Sequence, residues 1–149
     1  MVKNLKGIII MLVIFCLTIM PHFSVSAVYI PEDEIMPLYN NTVSARIYSN
    51  VNSSGVLTIS YKINGFSDKT TKIVINTYIE KKILGLFWTR VDNGQPDDQW
   101  IDTIYDYKYI GDRTFRLSST GKYRIKATYK VYGTGGSTDN IPCETEITY

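Results

Sequence analysis

The stretch Gly121–Gly133, GKYRIKATYKVYG, decides the fold. Tyr123, Ile125, Ala127, Tyr129 and Val131 take every second position, and Lys122, Arg124, Lys126, Thr128 and Lys130 take the others. A two-residue period puts one set on a buried face and the other in water, which is the pattern of a half-buried β-strand. A helix would scatter the same residues around its circumference.

The same period recurs upstream. Val43, Ala45 and Ile47 alternate with Ser44, Arg46 and Tyr48, and Leu57, Ile59, Tyr61 and Ile63 alternate with Thr58, Ser60, Lys62 and Asn64. Asn50–Gly55 between them has turn composition, so the two runs are expected to form a hairpin. Lys72–Ile83 follows, with Ile73, Ile75 and Ile79 on one face; Gly85 interrupts and Phe87–Val91 returns. Asp92–Asp98 (DNGQPDD) reads as a loop. Trp100–Tyr109 is expected as one long aromatic strand, Thr114–Leu117 as a short one, Gly133–Asn140 as a flexible turn and Cys143–Tyr149 as the last strand. No amphipathic helix and no internal repeat is evident.

Seven or eight such strands predict an all-β domain, a single antiparallel sandwich over residues 42–149, with a small open β-barrel as the alternative. Tyr123 at the start of the penultimate strand suggests an immunoglobulin-like sandwich. In such folds a tyrosine there bonds back to the main chain just upstream.

Met1–Ala27 reads as a cleaved secretory signal peptide. Lys3 and Lys6 precede the apolar run Gly7–Met20, Pro21 ends it, and Val25-Ser26-Ala27 supplies small residues at a cleavage point. An uncleaved anchor is the rival reading. Phe15 before Cys16 does not suit lipidation. The expectation is a secreted, extracellular protein whose residues 28–41, with Pro31, Pro37 and Glu32-Asp33-Glu34, form an extended leader.

Cleavage removes 27 of the 149 residues and leaves 122, a length suited to one domain. It also removes His22, the only histidine, and one of two cysteines, Cys16. Catalysis through a serine or cysteine with a histidine base then has no base, and zinc sites of His/Cys type have too few ligands. Without Lys3 and Lys6, fourteen of the sixteen basic residues remain against fourteen acidic ones. A neutral domain lacks the basic surface that grips nucleic acid. Cys143 alone makes no internal disulfide; it is either a small buried hydrophobe or a point for intermolecular pairing. No enzyme activity, metal or cofactor is expected, and the protein is expected to be a monomer.

Asp102 and Asp106, if they share one strand, stand roughly 13 Å apart, too wide for a glycosidase pair. The Asp92–Asp98 loop is oxygen-rich but lacks the regular spacing of a calcium loop. Lys122, Arg124, Lys126 and Lys130 form a basic stripe that would suit an anionic wall polymer, or simply the wet side of a sheet.

Aromatic and apolar groups carry the functional reading. Tyr105, Tyr107 and Tyr109 fall on one face of the expected strand, with Trp100 just before; exposed, such aromatics stack on sugar rings, and buried, they fill the core. Leu84, Leu86, Phe87 and Trp88 sit at a chain reversal between Lys81, Lys82 and Arg90. Packed inward, they are core; projecting outward, they form an apolar tip with a cationic collar, suited to a membrane interface or a hydrophobic partner groove. Two functions follow: a non-enzymatic binding module for a cell-envelope polymer or extracellular protein, or an antagonistic, membrane-active factor that uses the tip.

The acidic leader EDEIMPLY (Glu32–Tyr39), EKKILGLFWTRV (Glu80–Val91) and GKYRIKATYKVYG (Gly121–Gly133) together resemble a group of small exported β-sandwich proteins of low-GC Gram-positive bacteria. The resemblance implies export and the sandwich fold. It carries no activity and no functional residue.

Overall fold

The structure is a computed structural model and describes residues 39–149. The signal-peptide reading of Met1–Ala27 and most of the leader lie outside the described residues. Eight strands follow in order: β1 (Thr42–Val51), β2 (Val56–Gly65), β3 (Thr70–Ile83), β4 (Phe87–Arg90), β5 (Trp100–Ile104), β6 (Lys108–Arg116), β7 (Lys122–Gly133) and β8 (Asp139–Thr148). All pairings are antiparallel and fall into two sheets. One has the order β1-β2-β6; the other runs β4-β3-β7-β8, with β5 sharing the β4 edge of β3. The two sheets form a sandwich, and neither closes into a barrel.

The alternating faces meet between the sheets. Leu57, Ile59, Ile73, Ile75, Ile79, Ile125, Tyr129 and Val131 are all fully buried there. β1 lies over β8, where the Ser49 and Thr145 hydroxyls are 3.1 Å apart. The Tyr129 hydroxyl donates to the Arg46 carbonyl at 2.8 Å, so even the buried phenol is satisfied across the layers. Burial pushes that phenol well above its ordinary pKa.

Three strand expectations need correction. Val43 is exposed, because a bulge between Thr42 and Ser44 inserts one residue and turns it outward. Trp100–Tyr109 is not one strand. β5 pairs with β3 in one sheet and β6 with β2 in the other, so the chain changes sheets at Tyr105–Tyr107. Thr114–Leu117 is not separate either; Thr114–Arg116 is the end of β6.

The leader's end and the turn after β7 are also tied down. Both carboxylate oxygens of Asp139 are engaged, by the Asn40 and Asn41 amides at 2.9 and 2.8 Å and by the Thr42 hydroxyl at 2.9 Å. The Asn41 side chain donates to the Ser137 carbonyl at 3.0 Å and accepts from the Gly135 amide at 3.0 Å. Asn41 and Asp139 are 0 % and 5 % exposed, so this is a buried polar knot. Residues 133–140 hold it through short backbone approaches: a Cβ on Gly135 would stand 2.1 Å from the Asn40 carbonyl oxygen.

At the start of β7 the Tyr123 hydroxyl donates to the Ser119 carbonyl at 2.6 Å. Tyr123 is 1 % exposed. Tyr123→Phe keeps the ring and deletes the donor, so one part-buried hydrogen bond is lost. The expected loss is about 1–2 kcal/mol in chemical denaturation. An unchanged midpoint would show that the bond contributes nothing.

Candidate functional site

The reversal between β3 and β4 resolves the fork left by the sequence. Leu84, Leu86 and Phe87 are 85 %, 79 % and 54 % exposed. The Leu86 amide donates to the Ile83 carbonyl at 3.0 Å, closing a tight turn over Leu84 and Gly85. Both turn residues have positive φ, 51° and 69°. Glycine adopts this freely, but a leucine there carries strain, of order 1 kcal/mol or more. The turn therefore holds a large apolar side chain in water on a backbone that disfavours it.

The hairpin extends past its sheet. β7 enters opposite Lys81, and β4 alone accompanies the last residues of β3. Ile83 pairs with Phe87, and one step back Lys82 pairs with Trp88. Trp88 is half-buried between two cations: Lys82 Nζ lies 5.5 Å and the Arg124 guanidinium 4.4 Å from its ring. On the opposite side Lys81 donates to the Ser119 hydroxyl at 2.6 Å and sits 5.5 Å over the Tyr123 ring. Arg90 stacks on Tyr78 at 3.8 Å and donates to the Asp97 carbonyl at 2.7 Å. Apolar tip and cationic base are thus layered along one hairpin.

The second aromatic surface does not assemble. Trp100 is core, 9 % exposed, and meets Phe115 edge-on with centroids 5.7 Å apart. Tyr105 is exposed and Tyr107 half-buried at the sheet crossing, where the Lys108 ammonium lies 5.4 Å from the Tyr107 ring. The sequence placed Tyr105 and Tyr107 on one face, with Trp100 just before, because it read one strand; the chain crosses between sheets at Tyr105–Tyr107 and interrupts that strand.

Asp102 and Asp106 do not form a pair. Asp102 points between the sheets, where Arg113 Nη2 meets both its oxygens at 2.7 and 2.8 Å. The Asp106 carboxylate instead accepts the Tyr107 amide of its own loop at 2.6 Å. Arg113 also lies 5.1 Å from the Trp100 ring, so β5 and β6 are clasped across the sandwich. Burial works against the charged guanidinium, yet its bonds to Asp102 outweigh this and hold its pKa above the ordinary value. Tyr61 Oη, Thr77 Oγ1 and Arg113 Nε are buried nearby without a hydrogen bond of ordinary geometry. Burial raises the Tyr61 phenol pKa; Thr77 and Arg113 act against that rise.

The basic stripe on β7 is largely neutralised. Lys122 pairs with Glu146, Arg124 with Glu80 at 2.6 Å, and Lys126 with Glu144 at 3.9 Å. In the 92–98 loop Asp92 caps the Gly94 amide at 2.8 Å. Among the described residues no three His, Cys, Asp or Glu side chains converge as a metal site. Cys143 is half-buried, with Sγ 3.8 Å from the Ala45 carbonyl oxygen, and burial raises its thiol pKa. A shallow depression of about 390 Å³ on the outer face of the larger sheet is lined by Tyr78, Lys126, Thr128, Pro142 and Glu144 among others. It brings together no set of reactive groups beyond the Lys126–Glu144 pair.

No family model matches the chain, and no curated protein matches it either.

Proposed function

We propose that this protein is a secreted, non-enzymatic binding module that docks on a cell-envelope or extracellular ligand through the β3–β4 tip. The observation that carries the reading is the exposure of Leu84, Leu86 and Phe87 together on a turn whose Leu84 has φ 51°. Folding alone does not call for this arrangement, since a polar Asn-Gly turn would close the same hairpin without strain. Apolar groups gathered at a protruding turn are useful when something covers them. The Tyr123–Ser119 bond further supports an immunoglobulin-like shape for the sandwich. The signal-like segment Met1–Ala27 supports export.

Leu86→Ser and Phe87→Ser test the reading. Both side chains are more than half exposed, so stability should change by no more than about 0.5 kcal/mol. Binding to an isolated cell-envelope fraction should fall in the same variants. A thermal melt beside a co-sedimentation assay reads both. Folded variants that sediment like the parent would remove the tip as the binding surface.

A further inference from the structure

The tip's layering identifies what could cover it. This inference rests on the binding reading above and names the partner. We infer that the β3–β4 hairpin inserts shallowly into the interface of an anionic lipid membrane, with Leu84, Leu86 and Phe87 as the wedge and Lys81, Lys82 and Trp88 at the headgroup level.

Shape favours a bilayer over a protein. The apolar surface is convex and comes from three strongly exposed side chains on a two-stranded projection. A stable protein interface needs roughly 800 Å² per partner and close complementarity, far more than such a tip supplies. A fluid bilayer deforms around a wedge and needs no matching groove.

Depth agrees. Lys82 and Trp88 form a cross-strand pair two residues from the turn residue Leu84. At about 3.3 Å per residue that is roughly 7 Å. Amphipathic elements bury their apolar side about 5–10 Å into the boundary between headgroups and acyl chains. A tryptophan at that level is where aromatic belts lie. The backbone sets the limit from the other side. A turn leaves polar groups without partners, and these stay near the hydrated headgroups rather than enter hydrocarbon.

Charge selects the lipid. Among the described residues neither Lys81 nor Lys82 is in an ion pair, while Arg124 next to them is matched by Glu80. The field at this end is positive. The exposed Glu146 carboxyl is held below its ordinary pKa, first by its bond to Lys122, with Lys82 and Arg124 contributing. Juxtaposed cations and an apolar wedge together match an anionic surface, and neither alone would hold the domain there.

The test uses the chain from Val28 onward. Its sandwich carries its own core, and the apolar run Gly7–Met20 would bind vesicles by itself. The probes are phosphatidylcholine vesicles with and without about one-third phosphatidylglycerol, a composition chosen to give an anionic surface. The expected result is sedimentation with the anionic vesicles only, with a blue shift of Trp88 emission that Trp88→Phe abolishes while buried Trp100 stays constant. Leu84→Ser with Leu86→Ser should weaken partitioning at least about tenfold, since each leucine loses its buried methylenes. Lys81→Gln with Lys82→Gln should weaken it by on the order of tenfold and flatten its salt dependence.

Equal binding to neutral vesicles would overturn the charge argument. Tip variants that bind like the parent, or a parent that binds no vesicle, would overturn the inference as a whole. If vesicles fail but envelope binding still depends on Phe87, the binding module stands and its partner is not lipid.

Discussion

Asp139→Ala is expected to lower the unfolding free energy by about 3–5 kcal/mol, the largest effect of any substitution considered. The carboxylate accepts from the Asn40 and Asn41 amides and the Thr42 hydroxyl, all within 2.9 Å. At 5 % exposure no water can replace it without entering the knot. Alanine strands three donors, and a buried donor left unpaired costs about 1–3 kcal/mol. The costs do not add fully, because the segment before β1 can detach and hydrate. Asp139→Asn should lose less, since one oxygen still accepts. Urea denaturation of both variants gives the comparison. An alanine variant within 1 kcal/mol of the parent would mean that residues 39–42 are held by other contacts.

Ile125→Ala should cost about 2–5 kcal/mol. Ile125 is fully buried at the centre of the larger sheet, with Ile79 beside it on β3 and Thr145 on β8. Truncation removes methylenes from a close-packed interior and leaves a cavity that paired strands on both sides cannot collapse into. Lys126→Ala, its neighbour on the outer face, should change stability by only about 0.5 kcal/mol, because surface ion pairs contribute little. A denaturation midpoint that moved equally for both variants would contradict the assignment of faces.

The faces were legible because alternation is a local property. In Gly121–Gly133 and Val56–Gly65 each inward residue is chosen for burial and each outward one for water, and the structure keeps both sets. The Tyr123 bond was equally local, reaching back only four residues. Val43 was misplaced because a bulge adds one residue without leaving any mark in the apolar pattern.

The aromatic segment failed for a different reason. Trp100–Tyr109 has strand composition throughout, and composition does not record which sheet a strand joins. Pairing with β3 or β2 is decided by partners far away in sequence. Two of the candidate binding residues therefore separated: Trp100 went to the core and Tyr105 to solvent. Asp139 escaped notice for the same reason. Its value lies in donors almost a hundred residues upstream.

The hairpin tip marks the boundary between the two kinds of knowledge. The sequence by itself determined that the chain is β-rich, that it is built from half-buried strands joined by polar turns, and that the apolar run Ile83–Trp88 sits at a reversal between cations. Each of these follows from residue type and spacing within a few positions. Only the tertiary structure decided that Leu84, Leu86 and Phe87 face water, because exposure depends on whether another layer reaches them. β7 enters opposite Lys81 and β5 pairs only with Ile73–Thr77, so no neighbouring strand accompanies the turn beyond β4. An apolar side chain is buried by what lies across from it, and the local sequence does not contain that information.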